Sequence, residues 1–159
     1  MSVEQEEIAL PATLESARAQ ALELGLAYAG GVAPVVAWQL AQDGHAVLVD
    51  VRTAEERKFV GEVPGSRHVP WAMGTALTRN PRFVRELEAK VANEGGKEAV
   101  MLLLCRSGKR SALAAEAAAK AGFTRVFNVL EGFEGEIDDR QHRGGADGWR
   151  FHGLPWIQD

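Results

Sequence analysis

Six apolar residues in a row, Ala99 to Leu104, run without a break into Cys105, the single cysteine of the chain. An uninterrupted apolar run of that length reads as a strand buried on both faces. A short polar loop follows, Arg106-Ser107-Gly108, and then an alanine-rich stretch over 109–121, closed by Gly122. Alanine is the best helix former and glycine a common helix stop, so the pattern predicts a helix there. A strand, a tight loop and a helix, with a nucleophilic residue type at the strand's carboxyl end, restrict the fold severely. In open α/β sheets the functional groups lie just beyond those carboxyl ends.

The rest of the chain repeats the alternation. Residues 11–25 predict a helix: Pro11 suits its first turn, Leu14, Ala17, Ala21 and Leu24 recur at helical spacing, and Gly25 ends it. Residues 26–33, with Gly30-Gly31, read as a connector. A second short helix is expected from Pro34, with Val36 and Leu40 inward and a stop near Asp43-Gly44. Ala46-Val47-Leu48-Val49 predicts a strand that ends at Asp50-Val51-Arg52. Thr53 and Glu56 have the spacing of a capping box, so a helix begins there. Pro64-Gly65 and Pro70 bracket a small strand around His68-Val69. Pro81 opens a helix with Phe83, Leu87 and Val91 on one face, stopped by Gly95-Gly96. In the helix after Cys105, Leu113, Ala117 and Ala121 line up, and Arg125 to Val129 reads as the last strand. The tail from Asp138 onward is rich in Gly, Arg and Trp and has little periodicity. Strands alternating with helices imply a parallel sheet with helices on both faces.

Composition narrows the function. A chain of 159 residues is expected to form one domain. Its formal charge of −4 argues against a nucleic-acid binder. No apolar run approaches the roughly 20 residues of a membrane span, and the acidic start differs from a signal peptide. One cysteine makes neither an internal disulfide nor a cysteine-based zinc site. The four histidines show no ligand spacing, so no metal site is expected. The setting these features imply is reducing and cytoplasmic.

Cys105 then carries the chemistry. The loop's N–H groups are expected to point inward as an anion-binding nest, and the helix N-terminus to add partial positive charge. Gly108 permits the tight curve. Arg106, Lys109 and Arg110 place three cations within five residues of the sulfur. Each influence favours thiolate, the nucleophilic form. The same cradle would stabilise a persulfide.

Cys105-Arg106-Ser107-Gly108-Lys109-Arg110 resembles the six-residue active-site loop of the rhodanese (thiosulfate sulfurtransferase) family. Further segments match in order. Val49-Asp50-Val51-Arg52 resembles that family's Asp-Val-Arg signature, and Gly61 to Pro70 its Gly-His-Ile-Pro-Gly segment, with Glu62 where His is usual. Gly122-Phe123 with Val126 to Gly132 resembles the strand after the active-site helix. Gly148-Trp149 with Gly153-Leu154-Pro155 resembles the closing segment, whereas Phe133-Glu134-Gly135 departs from the usual Gly followed by Trp.

The resemblance implies a rhodanese-like α/β fold with a central five-stranded parallel sheet flanked by helices on both faces. It divides the chain into an N-terminal helical extension, residues 1–31, and a rhodanese-like domain, residues 32–159. It implies that Cys105 takes a sulfane sulfur from a small anionic donor such as thiosulfate. The sulfur then passes to a thiophilic acceptor, cyanide or a thiol, or to an acceptor protein. No metal or organic cofactor is required. Arg106, Ser107, Gly108, Lys109 and Arg110 would bind substrate, with Arg106 and Lys109 drawing in the anion and Arg110 facing the pocket mouth. Asp50 and Arg52 read as a buried ion pair supporting the sheet edge. Ser111 reads as a residue bonding within the first helical turn, and Trp71 as either core or pocket wall.

Two other functions compete. One is a carrier or interaction module that delivers sulfur to a partner. The other is a cysteine phosphatase or arsenate reductase, which also holds a thiolate in an anion cradle. Common cysteine phosphatases clamp a tetrahedral oxyanion with an Arg six positions after the Cys. Here that position is Ser111, and Arg110 is one residue too early.

Overall fold

The computed structural model describes residues 9–159. Among these residues seven strands and five α-helices follow one another. They are α1 (Ala12–Leu24), β1 (Gly30–Val32), α2 (Pro34–Gln42), β2 (Val47–Asp50) and α3 (Ala54–Phe59). Then come β3 (Arg67–His68), β4 (Ala72–Met73), β5 (Thr78–Arg79), α4 (Phe83–Lys90), β6 (Met101–Leu104), α5 (Lys109–Lys120) and β7 (Val126–Val129). Five of the strands form one sheet in the order β1-β7-β6-β2-β3, and every pairing in it is parallel. β4 and β5 make a separate antiparallel hairpin.

β6 is central because every one of its residues is apolar and buried. Successive side chains leave a strand on opposite faces, so the run divides between two cores. Met101, Leu103 and Cys105 pack on one face with Val49, with Phe83 and Leu87 of α4, and with Ala114, Ala115 and Ala118 of α5. Leu102 and Leu104 pack on the other with Leu14, Ala17, Ala37, Leu40, Phe127 and Trp149. Helices therefore cover both faces, as the strand–helix alternation predicts. In the aperiodic tail, Trp149 is fully buried and donates its indole N–H to the Pro155 carbonyl.

Two readings need correction. The segment read as a connector contains β1, which pairs with β7 at the sheet edge, Gly30 opposite Phe127 and Val32 opposite Val129. Only Val32 of its three residues carries a side chain, so no apolar pattern marks the strand. The glycine is needed because α1 lies directly on the backbone: a Cβ on Gly30 would stand 2.6 Å from the Ala17 carbonyl oxygen. The second correction concerns the buried stripe of α5. Ser111, Ala114, Ala115 and Ala118 face inward, while Leu113 is 52% exposed. The helix is rotated by about one position from the line through Leu113 because small residues let it approach the sheet closely.

Candidate active site

The carboxyl ends of β2 and β6 lie side by side, Asp50 in register with Leu104. The chain leaves these ends in two turns that meet.

From β2 it enters Val51-Arg52-Thr53 and then α3. Thr53 caps α3 by accepting the Glu56 N–H, and the Glu56 carboxylate accepts the Thr53 N–H. The capping box is thus complete. Arg52 is fully buried and donates through Nε and Nη2 to the Asp50 carboxylate, and through Nη2 to the Gly61 carbonyl. Its guanidinium lies 4.2 Å from the centre of the Phe133 ring. Arg57 also bonds Asp50, at 3.0 Å, and pairs with Glu62. A buried carboxylate is tolerable only when its lone pairs are taken up in this way.

From β6 the chain enters Cys105 and the loop before α5. The Cys105 side chain sits on the α5 face of the sheet and is 1% exposed. Its sulfur is not sealed in by apolar groups alone. Gly108, at φ 101°, turns its N–H onto Sγ at 3.1 Å, and the Ser111 hydroxyl lies 3.2 Å from the same atom. Ser111 therefore does more than satisfy its own helical turn. Its hydroxyl also donates to Oδ1 of Asn128, whose Nδ2 donates to the Gly108 carbonyl. Asn128 is a buried polar residue on β7, and the sequence reading passed over it. The available signal was an amide side chain inside the apolar stretch Val126-Phe127-Asn128-Val129, since an amide is buried only where partners wait for it.

The loop is clamped from behind. Phe133 donates its N–H to the Cys105 carbonyl at 2.7 Å, and Glu134 and Gly135 donate theirs to the Arg106 carbonyl. This closeness requires Gly132: with φ 69°, a Cβ there would stand 2.4 Å from the Arg106 carbonyl carbon. Phe133 thus holds both the loop and Arg52.

The cations of the loop have different surroundings. Lys109 is exposed, and Arg106, Ser107 and Gly108 are half-buried. Arg110 is turned toward α3 and donates from both terminal nitrogens to Glu56, each bond 2.8 Å long. Burial pushes the Glu56 carboxyl up, but the Arg110 hydrogen bonds, the Thr53 N–H and the charges of Arg110 and Arg52 outweigh it and hold the group at about 2. Burial pulls the Arg110 guanidinium down, but the bonds and charge of Glu56, with the field of Cys105 and Asp50, raise it. Trp71 stacks edge-on against Phe83 in the core, with the Arg79 guanidinium 3.6 Å from its ring centre.

A cavity of 810 Å³ lies elsewhere, at the amino ends of the strands, lined by Trp38, His45, Val47, Arg67, Glu94 and Val100 among others. It is at the opposite end of the sheet from Cys105. No helix among the described residues is long and apolar enough to cross a membrane.

A thiol held between an N–H and a hydroxyl at a helix N-terminus is arranged to carry anionic sulfur. The profile of the rhodanese-like domain matches residues 33–136. An uncharacterized protein, RP600, of Rickettsia prowazekii is 36% identical over 114 residues, 72% of this chain and 85% of its own length. Thiosulfate sulfurtransferase 16 of Arabidopsis thaliana is 31% identical over 126 residues, 78% of this chain and 89% of its own. The crystal structure of Rv0390 from M. tuberculosis superposes with a TM-score of 0.72 at 43% identity, covering 83% of this chain and 99% of that one. By its sequence, its sheet and its loop, the chain belongs to the rhodanese-like domain family.

Proposed function

We propose that this chain is a sulfurtransferase that carries sulfane sulfur on Cys105. The observation that supports this reading most directly is the pair of donors on Sγ, the Gly108 N–H at 3.1 Å and the Ser111 hydroxyl at 3.2 Å. In the first step the Cys105 thiolate attacks the outer sulfur of a thiosulfate-like donor. A new S–S bond forms, the donor's S–S bond breaks, and sulfite leaves with the electron pair. In the second step cyanide or a thiolate attacks the outer sulfur of the persulfide. Thiocyanate or an acceptor persulfide departs, and Cys105 returns as thiolate. Arg106 and Lys109 draw in the doubly charged donor, and Ser107 and Gly108 line the loop around it. Asp50 and Arg52 support the turn beneath it.

The Arg110 guanidinium is engaged by Glu56 and is not free to clamp a tetrahedral oxyanion. That argues against phosphate or arsenate chemistry. The test is thiocyanate production from thiosulfate and cyanide. Wild type is expected to turn over, and Cys105→Ser to be inactive; activity that survives in Cys105→Ser rejects the reading. A carrier that hands sulfur to a partner protein would still gain one sulfur, about 32 Da, on incubation with donor. Absence of that adduct under excess donor rejects both forms.

A further inference from the structure

We propose that Asn128 is a positioning residue for the reacting sulfur, holding the Ser111 hydroxyl and the Gly108 loop against Cys105. The inference rests on the sulfur-transfer reading and adds a residue to it. An asparagine in the middle of a buried strand is unfavourable on two grounds. Its amide must be desolvated, and asparagine is a poor strand former. The Asn128 side chain directs its bonds at the site. Oδ1 accepts the Ser111 proton and Nδ2 donates to the Gly108 carbonyl. One residue thus grips both groups that touch Sγ.

Ser111 has a single proton and two acceptors beside it, Asn128 Oδ1 and Cys105 Sγ. A serine in the first turn of a helix ordinarily bonds nearby backbone. Here Asn128 draws the hydroxyl across to the strand, which keeps its oxygen beside the sulfur. When the sulfur is a thiol, the serine proton rests on Oδ1 and a serine lone pair accepts the S–H. When the sulfur is anionic, the one serine proton is shared between Sγ and Oδ1, so Asn128 still holds the serine oxygen beside the sulfur. The bond to the Gly108 carbonyl fixes the amide throughout.

The test uses the full chain and the rate of Cys105 alkylation by iodoacetamide, followed by mass spectrometry. Alkylation needs only a well-held thiolate, so it reads the placement independently of sulfur transfer. Asn128→Leu and Ser111→Ala are each expected to slow alkylation about ten- to hundredfold, the effect of one lost hydrogen bond to a charged group. The double variant should be no more than about twofold slower than Ser111→Ala, because the two residues act through one contact. If Asn128 only filled space, its loss would loosen the loop around a buried sulfur and leave alkylation unchanged or faster; that result overturns the proposal, as does a multiplicative double variant. Ser111→Ala decides the matter even if Asn128→Leu fails to fold, since an unchanged rate there removes the route through which Asn128 acts.

Discussion

Arg110, the last residue of the loop after Cys105, donates two parallel hydrogen bonds to Glu56, which caps α3 at the neighbouring strand end. Fork-to-fork pairs are the strongest charge-assisted contacts available to side chains. This one joins the two turns that build the site. It also commits the Arg110 guanidinium to Glu56, so in the proposed reaction the loop charge that meets the donor comes from Arg106 and Lys109.

The Glu56 contact makes stability depend on acid. Its folded pKa of about 2 lies below the ordinary 4.5. A depressed carboxylate contributes stability that is fully present above the unfolded pKa and is lost as pH falls through the folded one. Wild type should therefore lose about 2 kcal/mol between pH 5 and pH 2 from this group, after allowance for screening of a partly exposed pair. Glu56→Gln should be less stable than wild type at pH 7, and the gap should close toward pH 2. Urea midpoints measured across that range check it, and a gap that stays constant with pH refutes it.

Gly132 should tolerate no side chain. Its positive φ and the 2.4 Å approach to the Arg106 carbonyl carbon leave no space for a Cβ. Gly132→Ala is expected to lower stability by about 2–4 kcal/mol. It should also cut sulfur transfer by at least about tenfold, because the loop it displaces holds the sulfur. Chemical denaturation and the thiosulfate assay read the two effects. Wild-type values in both would contradict the backing role of the 132–135 segment.

Arg52 is buried with no exposed surface and is bonded to Asp50 and Gly61. Replacing it by methionine keeps an apolar stem against Phe133 but strands part of the Asp50 charge. Removing one partner of a buried pair costs about 3 kcal/mol or more. Arg57 still bonds Asp50, which keeps the loss near that lower figure. A thermal melt that matches wild type would show that Arg57 alone satisfies the carboxylate.

Arg106 and Lys109 should act on donor capture rather than on sulfur transfer itself. Arg106→Met with Lys109→Met is expected to raise the thiosulfate KM about tenfold while kcat stays within about twofold, since steering by the loop's charge acts before the chemical step. Added salt should erase the difference, because exposed charges are screened over about 3 Å at 1 M. A KM that does not respond to either change would mean that the loop's N–H groups alone select the anion.

Much of this was readable from residue order. The apolar run into Cys105, the Thr53–Glu56 capping box and the alanine-rich helix each depend on neighbours within a few positions. Local periodicity and caps are local physics. β1 escaped because two of its three residues are glycines, Gly30 admitting the backbone of α1 and Gly31 lying against Leu130, a contact between segments far apart in order. The inward face of α5 was misaligned by about one position for a similar reason: a helix that is nearly all alanine has no strong stripe, and the sheet beneath it chooses the face.

The amino-acid order by itself determined the alternating architecture, the capped turn after β2 and the placement of a lone cysteine where a strand gives way to a helix. Only the tertiary structure decided which groups reach the sulfur. Ser111 and Asn128 are 17 positions apart and meet because α5 folds back across β7. Arg110 and Glu56 are 54 apart and meet because two parallel strands end side by side. Side-chain direction at long separation is set by register and packing, and neither is written in any short stretch of sequence.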